Sequence, residues 1–374
     1  MTVLLPGFLD AHAHLALIDP TQLAAGGIAR VLDLGGWWPA ADAPGGVAAA
    51  AALGVAGTDA VPSAAGAADA AGPDARYAGQ FLGAPGGYPS RQAWAPAGSA
   101  CAVGSPGEAA GAVARQAAGG ASVIKVTLNS AAGPVLDTAT LAAIVAAAHE
   151  RMLPVAAHTE GPGQADAAFT AGVDLLAHTP FTDRLPGELL GRMAGRLTWI
   201  STLDIHGWGE PTAAFHVASD NLARFHTAGG RVLYGTDLGN GPLPVGLNRR
   251  EIAALLACGL SPDDVLAALT ADYPGYPNGP IPAAVSPARP SASTPALAPA
   301  LAPALAPGVS PAGARRVTVI PGDRPTDPHD LTGFIDWLLR AQALPAHALP
   351  AHALPAHAFP ARALPRPDLE DHRS

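Results

Sequence analysis

Up to residue 273, short runs of bulky or β-branched apolar residues alternate with longer alanine-rich stretches. The short runs read as strands at Val3–Leu5, Ile28–Leu34, Tyr77–Leu82, Val123–Val126, Pro154–Ala157, Val173–Ala177, Leu197–Leu203 and Arg231–Tyr234. The stretches between and after them read as helices at Pro106–Ala118, Thr138–Arg151, Pro162–Ala171, Ala213–Ala228, Asn248–Cys258 and Pro262–Thr270. The last opens with Ser261-Pro262-Asp263-Asp264: a cap, a proline at the first helical position and acids in the first turn. Strand and helix alternating eight times predict an α/β fold, a parallel sheet closed into a (β/α)8 TIM barrel over residues 1–273. An open doubly wound sheet is the competing layout, but no Gly-x-Gly-x-x-Gly follows the first strand.

Beyond Tyr273 the pattern changes. Residues 274–313 are Pro, Ala, Ser and Gly with a short Ala-Leu-Ala-Pro repeat, which predicts an extended linker. A compact segment follows at 314–344: a strand at Arg315–Ile320, then Leu331, Phe334, Ile335, Leu338 and Leu339 at the spacing of a short amphipathic helix. Residues 345–374 return to Ala-Leu-Pro-Ala-His repeats and read as a disordered tail. Its His347, His352 and His357, five apart in a proline-rich strand, do not gather a tetrahedral metal site.

Composition narrows the class. Alanine inflates the apolar share of 49%, aromatics are 5%, and no stretch has the bulky apolar length of a membrane-spanning helix. Asp10 and His12 interrupt the first apolar run, and no basic region precedes it, so no signal peptide is expected and the protein reads as cytoplasmic. Cys101 and Cys258 suggest neither a disulfide framework nor a zinc ribbon. A net charge of −9 without a basic cluster argues against nucleic acid or a membrane surface as partner, and leaves a small-molecule substrate; a homo-oligomer is compatible with the sequence. Among 21 basic residues, Lys125 is the one lysine, so something other than positive charge selects it.

The candidate chemistry sits where strands end. The first closes with Asp10, His12 and His14, the fourth carries Lys125, the fifth ends at His158, the sixth at His178 and the eighth at Asp237. In an extended segment residues i and i+2 face one side, so His12 and His14 can address one ion. The C-terminal ends of barrel strands open on a single mouth, where these side chains would meet. Taken singly, each has a structural reading: a hydrogen-bonded histidine, a snorkelling lysine, a turn-forming aspartate. Their shared address tips the balance. His149, His216 and His226 lie within helices and read as structural, as does Asp33, a turn residue.

The segments LPGFLDAHAHL, VIKV, PVAAH, DLLAH and LYGTD, in this order, resemble the signature of the amidohydrolase superfamily. Arg250-Glu251 and Ala257-Cys-Gly-Leu-Ser-Pro-Asp-Asp264 resemble its imidazolonepropionase-like and prolidase-like branch, and the match spans roughly residues 3–270. The resemblance implies a metal-dependent hydrolase with two divalent ions, most often Zn2+. On that pattern His12, His14 and Asp237 hold the buried ion, and His158 and His178 the exposed one. Lys125, carboxylated by CO2 to a carbamate, bridges both. The carbamate requires a neutral primary amine, which arginine cannot supply.

The implied reaction is cleavage of an amide-type C–N bond, in an amide, lactam or dipeptide-like substrate, by a metal-bound hydroxide. Asp237 moves the proton, and His178 or His206 helps polarise the carbonyl. Tyr88 and Arg91 after the third strand, and Arg184 after the sixth, are candidate substrate-binding residues, the arginines for a carboxylate. A deaminase or lactonase on the same centre is the neighbouring alternative, and a catalytically inactive barrel acting as a binding scaffold the distant one. The chain departs from the branch at its ends: only five residues precede Pro6, so a late start or a bare barrel is expected, and RRVTVIPGD at 315–323 resembles returning strands of a β-sandwich.

Overall fold

The computed structural model describes residues 2–36, 72–273 and 316–345. The expected linker at 274–313 and all but the first residue of the expected tail lie outside the described residues.

The strands are β1 (Thr2–Pro6), β2 (Phe8–Ala13), β3 (Ile28–Asp33), β4 (Asp74–Tyr77), β5 (Phe81–Gly83), β6 (Ala100–Ala102), β7 (Ile124–Asn129), β8 (Val155–Glu160), β9 (Leu175–Leu176), β10 (Thr198–Ile200), β11 (Arg231–Leu233), β12 (Arg316–Pro321) and β13 (Gln342–Pro345). A seven-stranded parallel sheet runs β11-β10-β9-β8-β7-β5-β6, and a three-stranded parallel sheet runs β2-β3-β4. Backbone contacts join their edges. Ala11 N–H donates to Tyr234 O at 2.9 Å, His14 N–H to Leu238 O at 2.8 Å, and Ala13 bridges Leu238 in parallel. On the other side Ser122 N–H, just before β7, donates to Tyr77 O at 2.9 Å. The result is a barrel-like α/β fold.

Packing follows from the alternation of side chains along the strands. Leu9, Leu32, Val123, Ala156, Leu175 and Ile200 form an inner cluster, closed by Tyr273. Ile124, Val126, Val155 and Trp199 face the other way, onto the helices. Trp199 stacks on Phe225 of the helix Ala213–Thr227, ring centroids 3.8 Å apart.

Helix boundaries follow local chemistry. Pro106–Ala118 and Pro262–Thr270 occupy the spans their sequence predicts, the latter with a full capping box between Ser261 and Asp264. The helix expected from Pro162 begins instead at Gln164, because Gly163 takes a left-handed conformation at its start. A helix at Gly187–Ala194, within a Gly-containing stretch, was not expected from the pattern.

Three strand expectations change. Val3–Leu5 is a strand, but β1 pairs antiparallel with β12 in a separate sheet with β13, and β2 is the strand that enters the barrel-like body. The break falls at Gly7, where a Cβ would stand 2.7 Å from both Ala29 Cβ and Arg316 O; the next N–H, of Phe8, donates to Thr318 Oγ1. The run Tyr77–Leu82 divides into β4 and β5 around Gly79, whose φ of 76° suits glycine. The short β6 carries no strand pattern of its own and pairs with β5.

Residues 316–345 share the larger body's core. The helix Leu331–Leu338 buries Phe334, Ile335, Trp337 and Leu338 in the cluster that holds Phe8, Ile28 and Leu255, while Leu331 stays exposed. Trp337 is fully buried and its Nε1 donates to Gly322 O. Trp337→Ala should therefore lower the stability of the whole chain by about 3–5 kcal/mol in urea unfolding. A loss under 1 kcal/mol, with the β1 sheet melting separately, would show that this segment only rests on the surface.

Candidate metal centre

The polar side chains that the strands deliver converge. His12 and His14 come from β2 and the residue after it, Lys125 from β7, His158 from β8, His178 from the turn after β9, and Asp237 from the turn after β11. All are buried. His12 and His178 rings lie 4.7 Å apart by centroid, His12 and His14 5.2 Å, and His158 and His178 4.9 Å. Ligand atoms of His12, His178 and Asp237 all fall within 4.8 Å of one another.

A local irregularity lets His12 take part. Leu9 and Ala11 both face the inner cluster, so strict alternation would turn His12 outward. A register shift between Asp10 and Ala13 re-aims the strand there, as bulges do. Asp10 secures that shift. Its Oδ1 accepts the N–H groups of His12 and Thr236, and its Oδ2 accepts Thr236 Oγ1–H at 2.6 Å, which ties β2 to the chain before Asp237. Burial raises the Asp10 pKa to about 7 against these bonds. Asp33, buried and raised by burial to about 6, accepts from Leu15 and Gly35 N–H groups and thereby fixes the segments on either side of His14.

The histidine tautomers are set by carbonyls, which only accept. His12 Nδ1 lies 2.8 Å from Ala177 O and His14 Nδ1 2.9 Å from Gly35 O, so both carry hydrogen on Nδ1. In the neutral rings each Nε2 then turns a lone pair on Asp237 Oδ1, at 3.0 Å in both cases. His12 Nε2 and Asp237 Oδ1 are buried without a hydrogen-bond partner despite that short separation. Atoms this close need a cation between them, a proton on His14 Nε2 for one pair and a metal ion or proton for the unpartnered His12 Nε2. Backbone carbonyls orienting imidazoles by their far nitrogen are the arrangement expected around a bound metal. The residues fit one.

Charge is distributed accordingly. Burial lowers the pKa of His12 and of His178 well below the usual value. For His14, burial opposes protonation but the Asp237 hydrogen bond and charge outweigh it, so its pKa rises. For Asp237, burial pushes upward and the surrounding imidazoles more than reverse it, which leaves a carboxylate well below its usual range. Burial lowers Lys125 to about 7, with Asp237 and Asp33 pulling the other way. Asp237 holds φ at 56° and Thr202, whose Oγ1 meets His178 Nδ1 at 2.9 Å, holds 44°. Such left-handed conformations in residues other than glycine store strain at the site.

Other predicted residues fall around this group. Tyr88 stacks on His158 at 4.9 Å. His206, in a short turn after β10, packs against Phe181 at 4.2 Å; burial lowers its pKa to about 4. Arg184 is exposed and gives Nε to Asp220 at 2.8 Å, and Arg91 is exposed beside Gly86. His149 pairs with Asp174 at 2.8 Å, away from the centre. Sequence reasoning passed over Glu160, whose Oε2 lies 3.3 Å from His158 Nε2, and over Asn129, which donates to that oxygen. The signal for Glu160 was present: it stands two positions after His158 on the same strand face.

No family model matches the chain, and no curated protein matches its sequence. Solved structures do match its fold. The ochratoxinase of A. niger superposes with a TM-score of 0.54 at 20% identity, over 71% of this chain and 70% of that one. A putative prolidase from Bifidobacterium longum gives 0.53 at 24%, over 72% and 68%. Phenylurea hydrolase B gives 0.54 at 14%, over 95% and 87%. Among the described residues, no helix is long and apolar enough to cross a membrane.

Proposed function

We propose that this chain is a metal-dependent amidohydrolase of the superfamily its motifs resemble: a closed (β/α)8 barrel in the imidazolonepropionase-like and prolidase-like branch that cleaves an amide-type C–N bond of a small-molecule substrate. The observation that carries the reading is the meeting of His12 Nε2, His14 Nε2 and Asp237 Oδ1, with His12 Nε2 and Asp237 Oδ1 buried and without a hydrogen-bond partner, beside the buried Lys125. The fold neighbours support it, since their names include an Xaa-Pro dipeptidase, an amidohydrolase and a phenylurea hydrolase.

In this reading His12, His14 and Asp237 would hold one ion, His158 and His178 would hold a second, and Lys125 as its carbamate would be a ligand to both. Bound divalent cations would supply Lewis acidity, polarising a substrate carbonyl and lowering the pKa of a water to about 7. The chain supplies the rest. Asp237, ionised well below neutrality, accepts a proton at its carboxylate and returns it to the leaving nitrogen. Thr202 and Ala177 fix the rings of His178 and His12 through their Nδ1 atoms. His206, kept neutral by burial, can hold a substrate carbonyl through its unpartnered Nε2.

Reconstitution tests this directly. The full chain, stripped with a chelator and reloaded with zinc, should retain about two ions and hydrolyse members of a panel of dipeptides, N-acyl amino acids and lactams. A chain that binds no metal, or that binds it and cleaves no amide, overturns the reading.

A further inference from the structure

Glu160 is the last residue of β8 and shares a strand face with His158. Its Oε2 takes both contacts: Asn129 Nδ2 at 2.6 Å and His158 Nε2 at 3.3 Å. Asn129 has no freedom to turn away, because its Oδ1 accepts the Ala132 N–H at 2.9 Å. Oε1 of Glu160 makes no hydrogen bond among the described residues, and the side chain is 33% exposed. A carboxylate is therefore clamped by one oxygen at the edge of the centre and offers the other.

Its surroundings are aromatic, and the basic groups that act on it are the imidazoles of His158 and His206, which reach it on the side of the clamped oxygen or at longer range. Tyr88 stacks on His158, Trp94 stands 6.0 Å from Tyr88 and is 39% exposed, and Phe181 covers His206. Arg184 turns its guanidinium to Asp220 on the helix Ala213–Thr227, so it is committed elsewhere. Behind Phe181, on the face of β8 opposite to Glu160, opens a cavity of about 200 Å3 whose charged lining residues are Asp166 and Asp183. The buried Thr159 also lines it, with its Oγ1 unpartnered. The whole chain carries −9, a field that gathers cations and repels anions. Aromatic faces beside a carboxylate with one free oxygen are the setting in which an organic ammonium ion is held, by cation–π attraction and by a charged hydrogen bond together. A substrate carboxylate brought here would face Glu160 as a like charge.

We propose, on the basis of the hydrolase reading above, that the substrate carries an ammonium group which pairs with Glu160 Oε1 beside the Tyr88 ring. The substrate class is then an amide with a free amine, rather than the carboxylate-bearing class that Arg91 and Arg184 suggested in the sequence.

Binding can be read without turnover. Calorimetry with the zinc-loaded full chain uses two probes of one shape, phenethylammonium and the neutral 2-phenylethanol. The ammonium should bind about tenfold tighter or more, and Glu160→Gln should bring the two within about twofold, with zinc per chain unchanged. Equal affinity of the unaltered chain for both probes, binding of neither, or an undiminished preference in Glu160→Gln overturns the proposal. Loss of zinc in Glu160→Gln overturns it too, by making Glu160 a ligand. Amide cleavage without ammonium preference would sink this inference alone, whereas ammonium binding by a chain that cleaves no amide would sink the hydrolase reading and leave the binding site standing.

Discussion

Lys125→Ala is expected to lower zinc from about two ions to one or none and to reduce kcat/KM by about a thousandfold or more, since on the proposed reading its loss would remove a ligand from both ions at once. The position explains the size of the effect. Lys125 sits within β7, opposite Phe81 on one side and Ala156 on the other, and is 2% exposed. An ammonium there lies in the field of Asp237 and Asp33 and depresses the protonation of His12, His14, His158 and His178. Such a site does not hold a permanent cation comfortably, and burial has already brought the pKa to about 7.

The sign of the pH dependence follows. Below about 7 the group is an ammonium and cannot add CO2; above it the amine is neutral and can, so the lowered pKa opens the reaction at physiological pH. Zinc uptake by the metal-free chain should therefore rise with pH through about 7 and rise further with added bicarbonate. Lys125→Arg should fail as completely as alanine, although arginine supplies every other side-chain cation apart from histidine in this chain. Full zinc loading in Lys125→Arg, measured by mass spectrometry of the metal, would remove the carbamate from the account.

The fold was readable where local chemistry decides it. Ser261 with Asp264 and the proline between them mark one helix start, and the apolar runs at Ile28–Asp33 and Ile124–Val126 can only be strands. The candidate site was readable for a related reason. Strand ends repeat one geometric address, so His12, Lys125, His158, His178 and Asp237 could be grouped without knowing any distance. What stayed hidden depends on partners far along the chain. Nothing near Gly7 says that β1 leaves the body, because the reason is Thr318 and Arg316, more than 300 positions away. The bulge at Asp10–Ala13 is likewise enforced by Thr236. Arg184 looked free to meet a substrate because Asp220, its ion-pair partner, lies on another element. Charge partners of exposed arginines leave no periodic trace in a sequence.

Asp237→Asn is the substitution that separates holding a metal from moving a proton. The residue adopts φ of 56°, a conformation that asparagine tolerates nearly as well as aspartate and that alanine does not. Asparagine also keeps an oxygen where Asp237 Oδ1 meets the two Nε2 atoms, and a second polar atom beside Asn240, which now donates to Oδ2 at 2.8 Å. The variant should fold and retain at least part of its metal. It lacks the ionised carboxylate that accepts a proton, and kcat should fall by about a thousand- to ten-thousandfold, equivalent to about 4–5 kcal/mol of barrier, with a much smaller change in KM. Asp237→Ala should lose metal as well as rate, because it removes both the ligand oxygen and a side chain suited to the strained backbone. If Asp237→Asn, carrying as much zinc as the parent chain, kept kcat within tenfold, the proton would have to travel by another side chain. His206, which follows β10 beside β11 and whose pKa of about 4 makes it neutral and able to accept at neutral pH, is the group that would take its place.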